Sequence, residues 1–306
     1  MSDLNTHVAD YLRLRRGLGF KLVFPGRVLP QLVAFIHDAG GAALTIDLAI
    51  AWAGLPTHVQ PISRAHRLGA ARGFARYLQT IDPATEIPPC GIWPSVAARP
   101  VPYLWSTVDI GRLLDAARTI GSPLRAATHH ALFGLLAATG LRVGEAIGLT
   151  RADVALDTGI LTIGDAKFGR SRLVPVHRSV TDELASYAIR RDQLCPDAAA
   201  DRFFVNNVGT SLTHGGVHQT FVKLTTTLGL RTPTTHPRVH DLRHSFAVRT
   251  LIDWHRAGVD IDGRMAVLSN YLGHVNPSGT YWYLSAAPEL MELAADRLDS
   301  RYGIRR

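Results

Sequence analysis

The chain has 306 residues, of which 46% are hydrophobic and 19% are charged, and this size and composition are typical of a globular protein with two domains. It contains no run of about 18 apolar residues, so we expect no membrane-spanning helix. The formal net charge is +8, and 30 of the 33 basic residues are arginines, whose planar donor groups suit phosphate oxygens and favour an anionic partner.

The basic composition leaves two interpretations open. The chain binds nucleic acid, or it has a generic basic surface that reflects only Arg-biased codon usage. The two cysteines, Cys90 and Cys195, are far apart in sequence and form neither a disulfide framework nor a thiolate zinc site. Such cysteine usage fits a reducing compartment, so we predict a cytoplasmic protein.

Residues 1–81 are predicted to form a helical domain, because their apolar residues recur at helical spacing. The first two helical segments are marked by Leu4, Val8, Tyr11 and Leu12, and by Leu29, Leu32, Val33 and Ile36. A third segment carries a basic face on an amphipathic helix, formed by Arg64, Arg67, Arg72 and Arg76. That face suits contacts with DNA phosphates. For this helix taken alone, a solvated surface without a DNA partner is an equally good interpretation.

Residues 82–102 contain six prolines and no helical periodicity, so they are predicted to be an extended linker. The remaining residues, 103–306, form the second predicted domain. It begins with helices at Thr107–Ala117 and Ala126–Ala138, continues with a β-hairpin of Ile160–Ile163 and Arg172–Val176, and returns to helices after Ser179. The fold class is therefore α+β, mostly helical with a small sheet.

Four separated stretches of this second domain carry residues suited to phosphate chemistry. "TGLRVGEAIGL" contains Arg142 and Glu145, and Lys167 lies on the hairpin. "VHDLRHSFAV" places His240 and Arg243 one helical turn apart, and "LGHVNPSGTYWYL" places His274 nine residues before Tyr283. An isolated H-x-x-R has almost no specificity, but these four stretches in this order are highly specific in combination.

In these motifs the sequence resembles the tyrosine recombinases, or phage integrase family, over both domains. The resemblance implies a helical core-binding domain with a SAM-like fold, followed by a catalytic domain. It assigns the catalytic set to Arg142, Lys167, His240, Arg243, His274 and the nucleophile Tyr283, with Glu145 in a supporting role. Tyr283 occupies the nucleophile's place, rather than Tyr281. Lys167 is the position most open to misassignment, because hairpin lengths vary.

These residue types suit the reaction that the resemblance implies, which is cleavage of a DNA strand through a covalent 3′-phosphotyrosyl bond. Two arginines can stabilise the charge that grows on the phosphate, and His274 can add a third donor. His240 is the candidate base and Lys167 the candidate acid for the leaving 5′ hydroxyl. Because the covalent bond conserves energy and cationic side chains replace a divalent metal, no cofactor and no metal are expected.

Three alternatives remain open. His240 and His244 stand at i and i+4 with Asp241 between them, as in a zinc hydrolase helix, although a third ligand at suitable spacing is missing. A type IB topoisomerase shares the recombinase chemistry. A nonenzymatic DNA-binding protein on the same fold would have lost the Tyr or an Arg, and neither is lost here.

The resemblance also implies the partners. We therefore expect duplex DNA to be clamped between the two domains, and recombination to take place in a tetramer of this chain, or of related recombinases, assembled on DNA. The segment "TYWYLSAAPELM" is similar to integrases of transposons, which predicts integration or transposition of a mobile element.

Overall fold

The computed structural model describes residues 4–94, 101–164, 171–274, 276, 278–285, 289–292 and 295. The chain divides into two compact units, Met1–Pro100 and Val101–Arg306, and the division falls within the predicted linker. Among the described residues, none of the helices has the length and apolar character needed to cross a membrane.

The described residues of the first unit, 4–94, form four helices, α1 (Leu4–Gly17), α2 (Val23–Asp38), α3 (Ile46–Gly54) and α4 (Pro61–Leu78). Helix α3 begins where the Thr45 hydroxyl accepts a hydrogen bond from the Leu48 amide, and α4 begins with a proline, whose missing N–H is not needed there. The apolar faces of the four helices meet in one core, and its largest fully buried side chains are Trp52, Phe74, Leu29, Leu32, Ile36 and Leu68.

The proline-rich segment, as far as residue 94, contains neither helix nor strand, but it is part of the first unit and contacts the helices of that unit. Ile87 and Trp93 pack against that unit's core, and the Glu86 carboxylate accepts a hydrogen bond of 2.7 Å from the Ile46 amide. The described part of the segment is therefore attached to the helical unit over much of its length.

The second unit begins with helices α5 (Thr107–Ala117), α6 (Pro123–Thr139) and α7 (Val143–Gly148). Three antiparallel strands follow in the order β1 (Val154–Ala155), β2 (Ile160–Gly164) and β3 (Ser171–Pro175). Helices α8 (Arg178–Leu194) and α9 (His214–Thr227) complete the part of the unit that surrounds the buried helix α6. The hairpin register pairs Ile163 with Arg172 and Leu161 with Val174.

The end of the second unit brings the sequence motifs together. Helix α10 (Val239–Arg256) packs against α6 and α11 (Ile261–Leu272), and a short helix α12 (Ser278–Tyr281) leads into a 3₁₀ turn (Trp282–Ser285). Apolar residues of α10 and α11 form a third core cluster with Tyr283. The observed architecture confirms the predicted fold class, a mostly helical protein with one small antiparallel sheet.

Candidate active site

Arg142 stands at the N-terminus of α7, where Glu145 fixes it in place. The Glu145 carboxylate accepts hydrogen bonds from the Arg142 backbone N–H (2.9 Å) and from its Nη1 (2.8 Å), which also satisfies an amide that the helix leaves unpaired. Arg142 Nη2 donates to the Gly273 carbonyl at 2.9 Å. The first Arg is therefore oriented both by its own motif and by the start of the last motif.

Arg243 lies on the buried face of α10, with 2% of its surface exposed. Its Nη1 donates to the Gly140 carbonyl and its Nη2 to the Leu272 carbonyl, each at 2.8 Å. Burial lowers the pKa of this guanidinium, the neighbouring Tyr283 hydroxyl opposes that shift, and Arg142 adds to it. Arg243 remains a cation because guanidinium groups do not lose their proton in proteins, so the fold holds a buried positive charge beside Tyr283.

His274 has a defined tautomer because both ring nitrogens have partners. Nε2 lies 2.7 Å from Arg243 Nη2, and because a guanidinium can only donate, Nε2 accepts and carries no proton. Nδ1 therefore donates to the hydroxyl of the fully buried Thr280, 2.6 Å away. Burial, followed by the charge of Arg243, lowers the pKa of His274 to about 4, so the ring is neutral at pH 7.

His240 occupies the first turn of α10, with its ring centroid 4.7 Å from that of His244. Part of the side chain is exposed. Loss of solvation on the packed part of the ring, followed by the charge of Arg243, lowers the pKa of His240 to about 4. The ring is therefore neutral at pH 7 and able to accept a proton.

The two candidate tyrosines lie in very different environments. Tyr283 is 2% exposed, and its ring stacks near that of His274, with centroids 5.9 Å apart and planes 26° apart. It also contacts the ring of His244, at 5.4 Å. Tyr281 is 48% exposed. Thus the residue predicted from spacing, Tyr283, is the one that the fold places beside Arg243 and His274.

The structure adds Arg172 to this cluster, a residue that the motif search did not identify. Arg172 Nη1 and Nη2 donate to the two oxygens of Glu145 at 3.1 and 2.9 Å, and its Nε donates to the Tyr271 carbonyl at 3.0 Å. Burial raises the pKa of Glu145, but the hydrogen bonds from Arg172 and Arg142 outweigh it, and the net pKa is lowered. The sequence feature that could have identified Arg172 is the alternation of the strand, which places Arg172 on the same inward face as Val174.

Five of the six predicted catalytic residues, with Glu145, are among the described residues. The sixth, Lys167, lies outside them, in residues 165–170. His129 and His130 belong to helix α6, where His129 Nδ1 donates to the Arg125 carbonyl and His130 pairs with Glu183. Both are structural contacts away from the motifs.

The four arginines predicted to face DNA are largely occupied within the first unit. Arg64 donates to the Pro56 carbonyl at 2.9 Å, and Arg72 donates to the carbonyls of Pro88 and Pro89. Arg67 donates to the Trp52 carbonyl at 3.1 Å, with its guanidinium 4.0 Å from the Trp52 ring centroid. Arg76 is exposed. Phosphate binding by this face stays a prediction, and Arg76 is its most accessible member.

The described part of the chain does not contain the ligand cluster that the zinc hydrolase alternative requires. No group of three or more His, Cys, Asp and Glu side chains lies close enough there to hold an ion. His240 and His244 face each other edge to face, and the Asp241 carboxylate is directed to Arg238 at 2.7 Å.

Comparison with known proteins identifies relatives along the whole chain. Residues 106–289 match the model of the phage integrase family. The chain is 45% identical over 310 residues to "Putative integrase/recombinase y4rB" of Sinorhizobium fredii, covering 99% of both chains. It is 28% identical over 263 residues to the tyrosine recombinase XerD of Brucella abortus, covering 82% of this chain and 79% of that one.

Solved structures share the fold. The XerH site-specific recombinase bound to palindromic difH substrate in a post-cleavage complex has a TM-score of 0.64 at 18% identity, covering 91% of this chain and 78% of that one. The Tn1549 transposon integrase in complex with transposon right end DNA has a TM-score of 0.61 at 15% identity, covering 98% and 99%. The family match and the curated relatives favour neither a zinc hydrolase nor a topoisomerase.

Proposed function

The chain belongs to the phage integrase family of tyrosine recombinases, and from this premise we propose that Tyr283 cleaves and rejoins DNA strands through a covalent phosphotyrosyl intermediate. The observation that carries the residue assignment is the placement of the Tyr283 ring against His274, beside the buried cation Arg243. A buried cation next to a phenol stabilises both the phenolate and the phosphate that it attacks.

The proposed reaction transfers the DNA phosphoryl group from the 5′ oxygen of the DNA to the phenolic oxygen of Tyr283. The Tyr283 phenolate oxygen attacks the phosphorus, a new tyrosyl–phosphate bond forms on the 3′ side, and the bond from phosphorus to the 5′ oxygen breaks. The 5′ oxygen leaves as a hydroxyl after taking up a proton. Attack by the 5′ hydroxyl of a partner strand reverses these steps and rejoins the DNA. One ester is exchanged for another, so the reaction needs no external energy source.

The cationic side chains offset the cost of forming the phenolate. A phenol of pKa about 10 requires roughly 4 kcal/mol to ionise at pH 7. Arg142 and Arg243 each retain N–H groups that can bind the nonbridging phosphate oxygens. His274 joins them as a donor only after its Nε2, which accepts from Arg243 in the free chain, gains a proton.

Proton transfer is assigned to two residues. His240 is neutral in the free protein, and in this proposal it accepts the phenol proton. Lys167, outside the described residues, is proposed as the acid that protonates the leaving 5′ oxygen. In sequence it lies five residues before Arg172 (172 − 167 = 5).

Substitution of the two tyrosines on a nicked suicide substrate tests the assignment. Tyr283→Phe removes only the phenolic oxygen and is expected to abolish the covalent protein–DNA adduct on denaturing gels while DNA binding persists. Tyr281→Phe is the matched control, because it removes the same atom from an exposed side chain that lies two residues away in sequence. This variant is expected to form the adduct normally. An adduct of normal yield from Tyr283→Phe would exclude Tyr283 as the nucleophile.

The partners of the reaction also belong to this proposal. The relatives named as integrases and the DNA complexes of the structural neighbours support duplex DNA as the substrate, and the net charge of +8 suits its phosphates. The transposon integrase among those neighbours supports integration or transposition of a mobile element. We further propose that the first unit binds DNA, that the chain assembles as a tetramer on it, and that the reaction takes place in the cytoplasm.

A further inference from the structure

Arg172 faces the interior of the second unit, the catalytic unit (Val101–Arg306), although the next residue on the strand, Leu173, is apolar. On strand β3, Val174 is buried, and Arg172 lies two residues before it on the same face. Leu173, between them, is 64% exposed. The strand therefore turns inward an arginine with only 18% of its side chain exposed and leaves a leucine exposed, which costs partial desolvation of the charge and requires polar partners inside.

One of those partners belongs to a catalytic motif, and the other immediately precedes one. Nη1 and Nη2 bind the Glu145 carboxylate, and Nε binds the carbonyl of Tyr271 in the last turn of α11. The backbone of Gly273 passes directly over the guanidinium, since a Cβ at that position would lie 2.6 Å from Nη1. Arg172 thus connects the hairpin, the N-terminus of α7 and the residue that precedes His274.

The Glu145 carboxylate is shared between two arginines, and this affects Arg142. Oε1 accepts from Arg142 Nη1 at 2.8 Å and from Arg172 Nη1 at 3.1 Å, and Oε2 accepts from the Arg142 backbone at 2.9 Å and from Arg172 Nη2 at 2.9 Å. The three side chains together carry a net charge of +1. Without Arg172, each carboxylate oxygen would keep only its one bond to Arg142. The Glu145–Arg142 pair would then be neutral overall, and the carboxylate would lose the contacts that fix it from the side of the hairpin.

We propose that Arg172 is a positioning residue, which holds Glu145 and the Gly273 segment so that Arg142 keeps its orientation and the group of Arg142, Glu145 and Arg172 keeps a net positive charge for the phosphate. The inference rests on the proposed function, because it assumes that Arg142 binds the reacting phosphate. Arg172 acts through Arg142 and contributes little to DNA affinity.

A double-mutant cycle on the cleavage rate tests this role. Arg172→Met keeps the length and burial of the side chain and removes its charge and donors. In single-turnover cleavage of the nicked substrate it is expected to lower the rate by roughly 10- to 100-fold, as loss of an orienting contact does in other sites. In an Arg142→Lys background the same change should cost less than about 3-fold, because residues that act as one unit are not additive. DNA affinity in gel shifts should stay within about 2-fold.

Two controls separate positioning from general stabilisation. Arg151→Met removes another arginine with two bonds to a carboxylate, the exposed pair with Asp192, and should leave the cleavage rate unchanged. Arg172→Lys keeps the charge but cannot reach all three acceptors, so it should give an intermediate rate. If Arg172→Met does not fold, Arg172→Lys carries the same cycle.

A measurement that does not depend on activity keeps the inference separate from the proposed function. Glu145 faces Arg142 and Arg172, so loss of Arg172 should raise the pKa of Glu145. NMR of the Glu145 carboxyl carbon as a function of pH measures that pKa. An unchanged Glu145 pKa, equal rate losses in both backgrounds, or a loss of DNA affinity that matches the loss of rate would each overturn the role. Failure of the wild-type chain to form any adduct would instead refute the proposed function.

Discussion

Gly140, in the "TGLR" motif, should not tolerate even a methyl group. It ends α6 with φ +64°, a left-handed conformation, and its carbonyl accepts the hydrogen bond from Arg243. A Cβ there would lie 2.7 Å from Cδ1 of Phe246 and 3.1 Å from Cδ2 of Leu272. Gly258 has nearly the same backbone, φ +67°, with no heavy atom within 4 Å of its Cβ position. The two glycines therefore separate backbone strain from overlap.

The expected magnitudes follow from this difference. Gly258→Ala meets only the left-handed strain of about 1–2 kcal/mol, reduced by about 0.4–1 kcal/mol because alanine restricts the unfolded chain. Gly140→Ala meets the same strain and an additional ~1–3 kcal/mol from overpacking against Phe246 and Leu272. For a unit of roughly 200 residues each kcal/mol lowers Tm by about 2–4 °C, so Gly140→Ala should melt about 2–12 °C below Gly258→Ala.

Scanning calorimetry of the full chain measures both variants, and the transition of the catalytic unit is compared. At a temperature at which both remain folded, Gly140→Ala should also cleave the nicked substrate more slowly than Gly258→Ala, since the carbonyl that holds Arg243 has moved. Equal melting temperatures for the two variants would show that Phe246 and Leu272 move aside at no cost. The reasoning from close approach would then be wrong.

Two further predictions concern protons and metal ions. The pKa of His274 is lowered to about 4 by burial and by Arg243, so the unfolded chain, with a His pKa of about 6.5, binds the proton more readily. The stability that this neutral ring contributes is complete above about pH 6.5 and is lost as pH falls through about 4. In urea titrations at several pH values, His274→Gln should therefore reduce the dependence of the unfolding free energy on pH over this range. Cleavage should proceed within about 2-fold of its normal rate in EDTA, because Arg142 and Arg243 supply the positive charge at the phosphate. Activity restored only by added Mg²⁺ or Zn²⁺ would contradict this.

Sequence patterns predicted the elements of the catalytic unit well where local signals agree. The helix predicted at Thr107–Ala117 has those bounds, because Ser106 caps it through the Asp109 amide and the apolar spacing continues to its end. The hairpin strands were predicted to within one residue at each end, since their alternation is regular. Family motifs, rather than physical pattern, brought Arg142 and His274 together, although 132 positions separate them (274 − 142 = 132).

The basic face of α4 shows what composition cannot determine. Its arginines were predicted to bind phosphates, yet Arg64, Arg67 and Arg72 donate to backbone carbonyls of their own unit. A guanidinium binds a carbonyl oxygen and a phosphate oxygen through the same donors, so a sequence cannot distinguish an arginine that closes a loop from one that awaits DNA. Only the position of the acceptor decides between them, and tertiary structure sets that position.

The position of carbonyl acceptors also explains why the glycines and arginines of the motifs occur together. Gly140 precedes Arg142 in sequence, but its carbonyl holds Arg243, whereas Gly273 precedes His274 and its carbonyl holds Arg142. Both glycines end helices in left-handed conformations, which leave their carbonyls outside the helical hydrogen-bond ladder. Each of these two glycine-containing motifs therefore supplies the acceptor for another motif's cation. The site forms only when α6, α10 and α11 have packed, so a change in one motif should disturb the charge held by another.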